Sequence, residues 1–218
     1  MAKVGVVLSG CGVYDGAEIH ESVLTLLSLD RRGAEVIFMA PDQPQMHVIN
    51  HLTGNVDEGS SRNVLVESAR IARGKIRDLA TVKAGDLDAL IFPGGFGAAK
   101  NLSSFAVRGA DSDVHPEVMR LVQEMSRAKK PIGFVCIAPA IAAKIFGPSS
   151  VKVTIGTDEG TASALQKMGA RHVACPVEKC VIDEEHHIVS TPAYMLAGHI
   201  SEAADGIDAL VEAVLKMV

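Results

Sequence analysis

The stretch Pro131-Ile132-Gly133-Phe134-Val135-Cys136-Ile137-Ala138-Pro139-Ala140-Ile141 decides how the chain is read. A short apolar run ends at a cysteine, and small residues at helical spacing follow at once. A run without polar alternation is what a parallel strand buried on both faces looks like. The abrupt change of pattern predicts a strand-to-helix elbow with Cys136 at its corner. A side chain at such a corner is thrown clear of the backbone into the cleft beyond the strand ends. The start of the following helix is expected to favour a thiolate there. Cys136 is therefore the leading candidate nucleophile, although a buried structural thiol gives the same local pattern.

Outward from the elbow, the flanking segments supply a frame for it. Lys3 to Ser9 is a β-branched run that ends in the loop Gly10-Cys11-Gly12-Val13-Tyr14-Asp15-Gly16. A helix is predicted from Ala17 to about Arg32, with Ile19, Val23, Leu26 and Leu27 inward and Gly33 as its stop. Glu35 to Ala40 is the next strand, so the opening is β-α-β and calls for a parallel sheet. Val48 to His51 is a short strand before a Thr53-Gly54 turn, and Arg62 to Arg73 is helical. The strand Ala89 to Phe92 runs into Pro93-Gly94-Gly95-Phe96-Gly97, a second glycine loop whose amides suit an oxyanion. A helix over Pro116 to Lys129 leads to the elbow strand. Beyond the elbow come a strand at Val151–Ile155, a helix at Thr161–Met168 and an exposed hairpin at Val181–Asp183 and His187–Ser190. The closing helix starts at Ser201, with Ile207, Leu210, Val211 and Val214 inward. The expected fold is α/β, a flavodoxin-like open and mostly parallel sheet with helices on both faces, in one domain spanning residues 1–218.

Composition narrows the function. The net charge of −5, without a basic block, argues against a nucleic-acid surface. No apolar stretch approaches the roughly 20 residues of a membrane span. The first residues pass straight into a strand, so no targeting segment is expected. The four cysteines, Cys11, Cys136, Cys175 and Cys180, lack zinc spacing, and free thiols suit a cytoplasmic protein. His47, His51 and His199 show no metal-ligand spacing either, so no metal site is expected.

Several segments carry a family resemblance. The elbow Val135-Cys136-Ile137-Ala138-Pro139, with Pro93-Gly94-Gly95 after an earlier strand, resembles the class I glutamine-amidotransferase-like fold. Within it the chain resembles the superfamily of the Parkinsonism-associated deglycase and the PfpI peptidase. A closer likeness, to the ElbB glyoxalase family, lies in Ser9–Gly16, Asn50–Gly54, Glu67–Gly74, Phe96–Leu102 and Thr191–Met195. That resemblance implies a homodimer with glyoxalase or deglycase activity and a proposed early role in isoprenoid synthesis. It also implies a glutamate beside the cysteine. Counting back from Gly33 puts that role on Glu21 rather than Glu18. The superfamily's triad histidine has no counterpart: its place falls on Gly156, and no histidine lies between Cys136 and His172.

These residues suit one chemistry. A cysteine adds to the aldehyde of glyoxal or a related α-oxoaldehyde, a base moves a proton between the two carbons, and water releases the hydroxy acid. No metal or organic cofactor is needed. Amides of Gly94, Gly95 and Ile137 are expected to hold the oxyanion, and a neutral Glu21 to donate a hydrogen bond to a thiolate. His20 serves only if the first helical turn is irregular. Cys11 is either a resolving thiol for Cys136 or a packed one. Lys100 and Asn101 either face the cleft or cap and solvate their helix. The alternative to an enzyme is a cysteine-based redox sensor or binding protein on the same fold.

Overall fold

The computed structural model describes every residue, Met1–Val218. Its strands are β1 (Lys3–Val7), β2 (Glu35–Ala40), β3 (Ile49–Asn50), β4 (Asn55–Val56), β5 (Ile76–Asp78), β6 (Ala89–Phe92), β7 (Ile132–Val135), β8 (Lys152–Val153), β9 (Arg171–His172), β10 (Val181–Asp183) and β11 (Ile188–Thr191). Its helices are α1 (Ile19–Arg31), α2 (Val64–Ile71), α3 (Phe96–Lys100), α4 (Phe105–Arg108), α5 (Pro116–Arg127), α6 (Pro139–Phe146), α7 (Glu159–Lys167) and α8 (Ile200–Lys216). Seven strands form one sheet in the order β10-β11-β7-β6-β1-β2-β5, parallel except for β10 against β11. This is the mostly parallel, two-sided architecture expected from the sequence.

Strand alternation divides the core between the two faces. Leu90, Phe92, Ile132 and Phe134 pack under α3, α5, α6 and α7, with the Phe92 and Phe134 rings stacked at 5.0 Å. Val4, Val6, Ala89 and Ile91 pack against α1, α2 and α8. Gly133 makes room on that side: a Cβ there would lie 2.9 Å from Leu210 Cδ2.

Four expectations need correction. In α1 the stripe Ile19, Val23 and Leu27 is exposed, while Glu21, Ser22, Thr25, Ser28 and Leu29 are buried. On the inner face Ser28 bonds to Asp208 of α8 at 2.7 Å, and Ser22 bonds back to the helix cap at Glu18 O. The predicted strand at 151–155 shrinks to β8, which pairs with β9 outside the main sheet. The predicted exposed hairpin has one edge strand only: β11 is wholly buried and runs parallel to β7. Finally, β5 went unpredicted because Ile76-Arg77-Asp78 is short and half-exposed, with the polar pattern of an edge.

Candidate active site

The carboxyl ends of β1, β6, β7 and β11 deliver four loops to one place. At the elbow, Cys136 adopts φ +62°, a left-handed conformation that is uncommon away from glycine. Its N–H donates to Thr191 O at 2.9 Å, and Ala138 N–H donates to Val135 O at 3.0 Å. The turn is thus held from β11 as well as from within. Cys136 is 7% exposed and opens onto a cavity of about 490 Å³.

Glu21 sits in the first turn of α1 and is fully buried. Three residues before it, Glu18 caps the helix by accepting from Glu21 N–H at 2.6 Å. The capped turn aims the Glu21 carboxyl inward. Its Oε2 accepts from Gly94 N–H at 2.9 Å and its Oε1 from Tyr194 N–H at 3.2 Å. The Cys136 side chain lies beside it, close enough for each group to shift the other's pKa. Gly94 permits this approach, since a Cβ there would lie 2.5 Å from Cys136 Cβ and 2.6 Å from Glu21 Oε2. Gly95, at φ +92°, lets the second glycine loop press against Glu18, whose N–H donates to Gly94 O at 2.9 Å.

The electrostatics are those of a coupled pair. Burial, then the charge of Glu18, pushes Glu21 up to about 7, against the hydrogen bonds from Tyr194, Cys136 and Gly94. Burial, then the charge of Glu21, pushes the Cys136 thiol well above its ordinary value, against amide hydrogen bonds from Gly95 and Ile137. Both groups therefore favour their protonated forms: the sulfur is a thiol rather than a thiolate, and Glu21 is poised between acid and carboxylate near pH 7. This opposes the expected resting thiolate, whereas burial does shift Glu21 toward the neutral acid as expected. The helix start offers little help, because α6 begins only at Pro139 and the Ala138 amide is already spent on Val135.

The structure brings together Cys136, Glu21, Gly95 and Ile137. Gly94 contributes space and an N–H committed to Glu21, so it is not a third donor toward an oxyanion. The remaining sequence candidates lie elsewhere. Cys11 sits among Glu67, Arg70, Asp15 and Arg62 and is not part of the wall of the Cys136 cavity. Asn101 is buried and its Nδ2 donates to Ser9 O and Asp15 O at 2.9 Å each, bracing the first glycine loop. Lys100 donates to Tyr14 O at 2.9 Å and lies over the Phe96 ring. His20 Nδ1 is 2.8 Å from the Tyr194 hydroxyl, so it touches the site only through that tyrosine. Gly156 has φ +93°, and a Cβ there would lie 2.6 Å from Leu196 Cγ. Leu196 fills the space a side chain at 156 would need.

Glu18, Tyr194 and Thr161 line the cavity and were not among the sequence candidates. The Glu18-x-x-Glu21 spacing at a helix start was a visible capping signal for the first. Tyr194 joins from 173 residues away along the chain, and no local pattern marks it.

No protein-family model matches the chain. It is 52% identical to the human mitochondrial "Glutamine amidotransferase-like class 1 domain-containing protein 3", over 99% of this chain and 83% of that protein. It is 36% identical to the mitochondrial ES1 protein of Danio rerio, over 99% of this chain and 86% of that one. Among solved structures, an isoprenoid biosynthesis protein with an amidotransferase-like domain from Ehrlichia chaffeensis superposes with a TM-score of 0.93 at 38% identity, covering 100% of this chain and 99% of that one. A DJ-1 superfamily protein from Agrobacterium tumefaciens shares the fold at a TM-score of 0.60 and 15% identity, over 99% of this chain and 89% of that one. These names correct the cytoplasmic expectation: the curated relatives are mitochondrial proteins, which points to the mitochondrion. Free thiols report a reducing environment and do not separate one such compartment from another.

Proposed function

The chain belongs to the family of glutamine amidotransferase-like class 1 domain and ES1 proteins, and from that premise we propose that it is a cofactor-independent, glyoxalase-type lyase of the ElbB group. The observation that carries this reading is the buried contact between the Cys136 thiol and a Glu21 carboxyl poised near pH 7. A base with a pKa near the working pH is suited to both taking and returning a proton.

On an α-oxoaldehyde, sulfur attacks the aldehyde carbon as Glu21 takes the thiol proton and passes it to the carbonyl oxygen. Gly95 and Ile137 amides hold that oxygen while it is charged, each good donor contributing about 3 kcal/mol. Glu21, again a carboxylate, removes the C–H proton and returns it to the neighbouring carbon, while the hydroxyl proton of the hemithioacetal passes to the neighbouring oxygen. The aldehyde carbon is thereby oxidised to a thioester and its neighbour reduced to an alcohol. Water then releases the hydroxy acid and restores the thiol. For glyoxal the product is glycolate. No step calls on the missing histidine. A weak turnover is expected, because the thiol keeps its proton at rest.

The same observations weigh against a redox sensor. Sensor cysteines are exposed and low in pKa, whereas Cys136 is buried with a raised one, and Cys11 does not line its cavity. Likeness to the Ehrlichia protein supports a role connected with isoprenoid synthesis. The exposed α1 stripe Ile19, Val23 and Leu27 supports a homodimer.

The test is glycolate formed from glyoxal over time by the wild-type protein and by Cys136→Ala. Many glycolates per chain, abolished in Cys136→Ala, are expected. No turnover by the wild type, or equal turnover by both proteins, would sink the reading.

A further inference from the structure

Glyoxal has four non-hydrogen atoms and is strongly polar, and the cavity above Cys136 suits neither property. At about 490 Å³ it lies in the range of pockets that enclose ligands of drug size. Its wall is built mainly from Val13, Phe96, Phe105, Ile137, Ala164 and Met195. These come from the β1–α1 loop, α3, α4, the elbow, α7 and the turn after β11, so the apolar character is shared by six separate segments. Such convergence is not a by-product of one amphipathic helix. Transfer of apolar surface from water into such a wall favours binding in proportion to area, and glyoxal has almost none to give.

The polar groups are as informative. Near the reacting sulfur stand the Gly95 and Ile137 amides, which suit a carbonyl oxygen. Glu18 is the acidic side chain of the wall, and no lysine, arginine or histidine lines it. A substituent bearing a carboxylate or phosphate would meet a like charge and no counter-charge.

Resting on the glyoxalase reading, we infer that the substrates of this site are α-oxoaldehydes, or aldehydes of the same kind, carrying a bulky, uncharged apolar group such as a branched alkyl or aryl chain. The reactive carbonyl meets Cys136, and the apolar group fills the space under Phe96, Phe105 and Met195. Glyoxal is then a minimal substrate that uses the chemistry and leaves the recognition unused. The overall change is addition of one water across R–CO–CHO to give R–CHOH–COOH, with the aldehyde carbon oxidised and the ketone carbon reduced. No external oxidant or reductant takes part.

Two measurements on the intact protein separate the cavity from the chemistry. The first is the rate of Cys136 alkylation by N-benzyl-iodoacetamide relative to iodoacetamide, read by peptide mass spectrometry and divided by the same ratio for glutathione. A normalised ratio of at least tenfold is expected, falling toward one in Ala164→Phe or in Ala106→Phe, either of which fills the cavity. The second is kcat/KM for phenylglyoxal (to mandelate) against glyoxal, expected to be at least tenfold higher for phenylglyoxal. A wild-type alkylation ratio near one overturns the inference whatever the variants do. Turnover of glyoxal without preference for phenylglyoxal also overturns it, while leaving the glyoxalase reading intact. A high alkylation ratio with no turnover of either aldehyde supports the apolar ligand class and removes the glyoxalase reading instead.

Discussion

At the scale of single residues, the proposed chemistry rests on two neighbouring groups that each resist charge. The Glu21 carboxyl is raised to about 7 by burial and by Glu18, and the thiol is raised by burial and by Glu21. Glu21→Gln removes a negative charge from beside the sulfur. The pH midpoint of Cys136 alkylation is therefore expected to fall in the variant, as iodoacetamide labelling across pH would show. In the wild type, kcat/KM is expected to rise as Glu21 ionises through about pH 7. Glu21→Gln should lose that rise and most of the activity together, having a more acidic thiol but no base. An unchanged alkylation midpoint would mean that the two groups do not sense one another. Cys136 was legible at this scale because an elbow leaves a local pattern. Glu21 was legible only by family resemblance, since nothing local separates a buried helix glutamate from a solvated one.

Elements carry the next decisions. In α1 the sequence's apolar periodicity points to one face and the structure buries another. Ser22, Thr25 and Ser28 go inward because they are small enough for close packing; Ser22 Oγ donates to Glu18 O and Ser28 Oγ to Asp208, each at 2.7 Å, while the Thr25 hydroxyl is buried without a partner. Ile19, Val23 and Leu27 stay exposed, and on the dimer reading Val23→Lys with Leu27→Lys is expected to give monomers with an unchanged circular dichroism spectrum. Sedimentation velocity would decide it; a wild type that is already monomeric would remove the dimer. The segment after β8 shows the same dependence on context. Gly156 stands where the resemblance would place a histidine, at φ +93° against Leu196. Gly156→His is expected to destabilise the fold by about 1–3 kcal/mol through overpacking and to give no gain in rate. A rate gain would show that Leu196 yields and that the site accepts a triad.

Across the whole molecule, burying a carboxyl links stability to pH. Glu21 has a folded pKa of about 7 against an ordinary value of 4.5, so the folded chain binds its proton more tightly than the unfolded one. Its contribution is fully present below pH 4.5 and is lost as pH rises through about 7. At 1.36 kcal/mol per pKa unit this is roughly 3 kcal/mol across that window. Urea unfolding at several pH values is expected to show this falling component in the wild type and its absence in Glu21→Gln. A difference between the two proteins that does not vary with pH would contradict the raised pKa.

The sequence alone determined the α/β class, the parallel sheet and the elbow, because buried parallel strands and strand-to-helix corners are written in contiguous residues. It also marked the second glycine loop, where the backbone conformation at Gly95 and the close approach at Gly94 need glycine. Only the tertiary structure decided which face of α1 is inside, that β11 lies buried beside β7, and that the Gly94 amide serves Glu21 rather than an oxyanion. Only it showed that burial and the neighbouring Glu21 disfavour a thiolate at Cys136. Each of these depends on segments tens to hundreds of residues apart meeting in a low-dielectric space, and a local pattern holds no record of what it will be packed against.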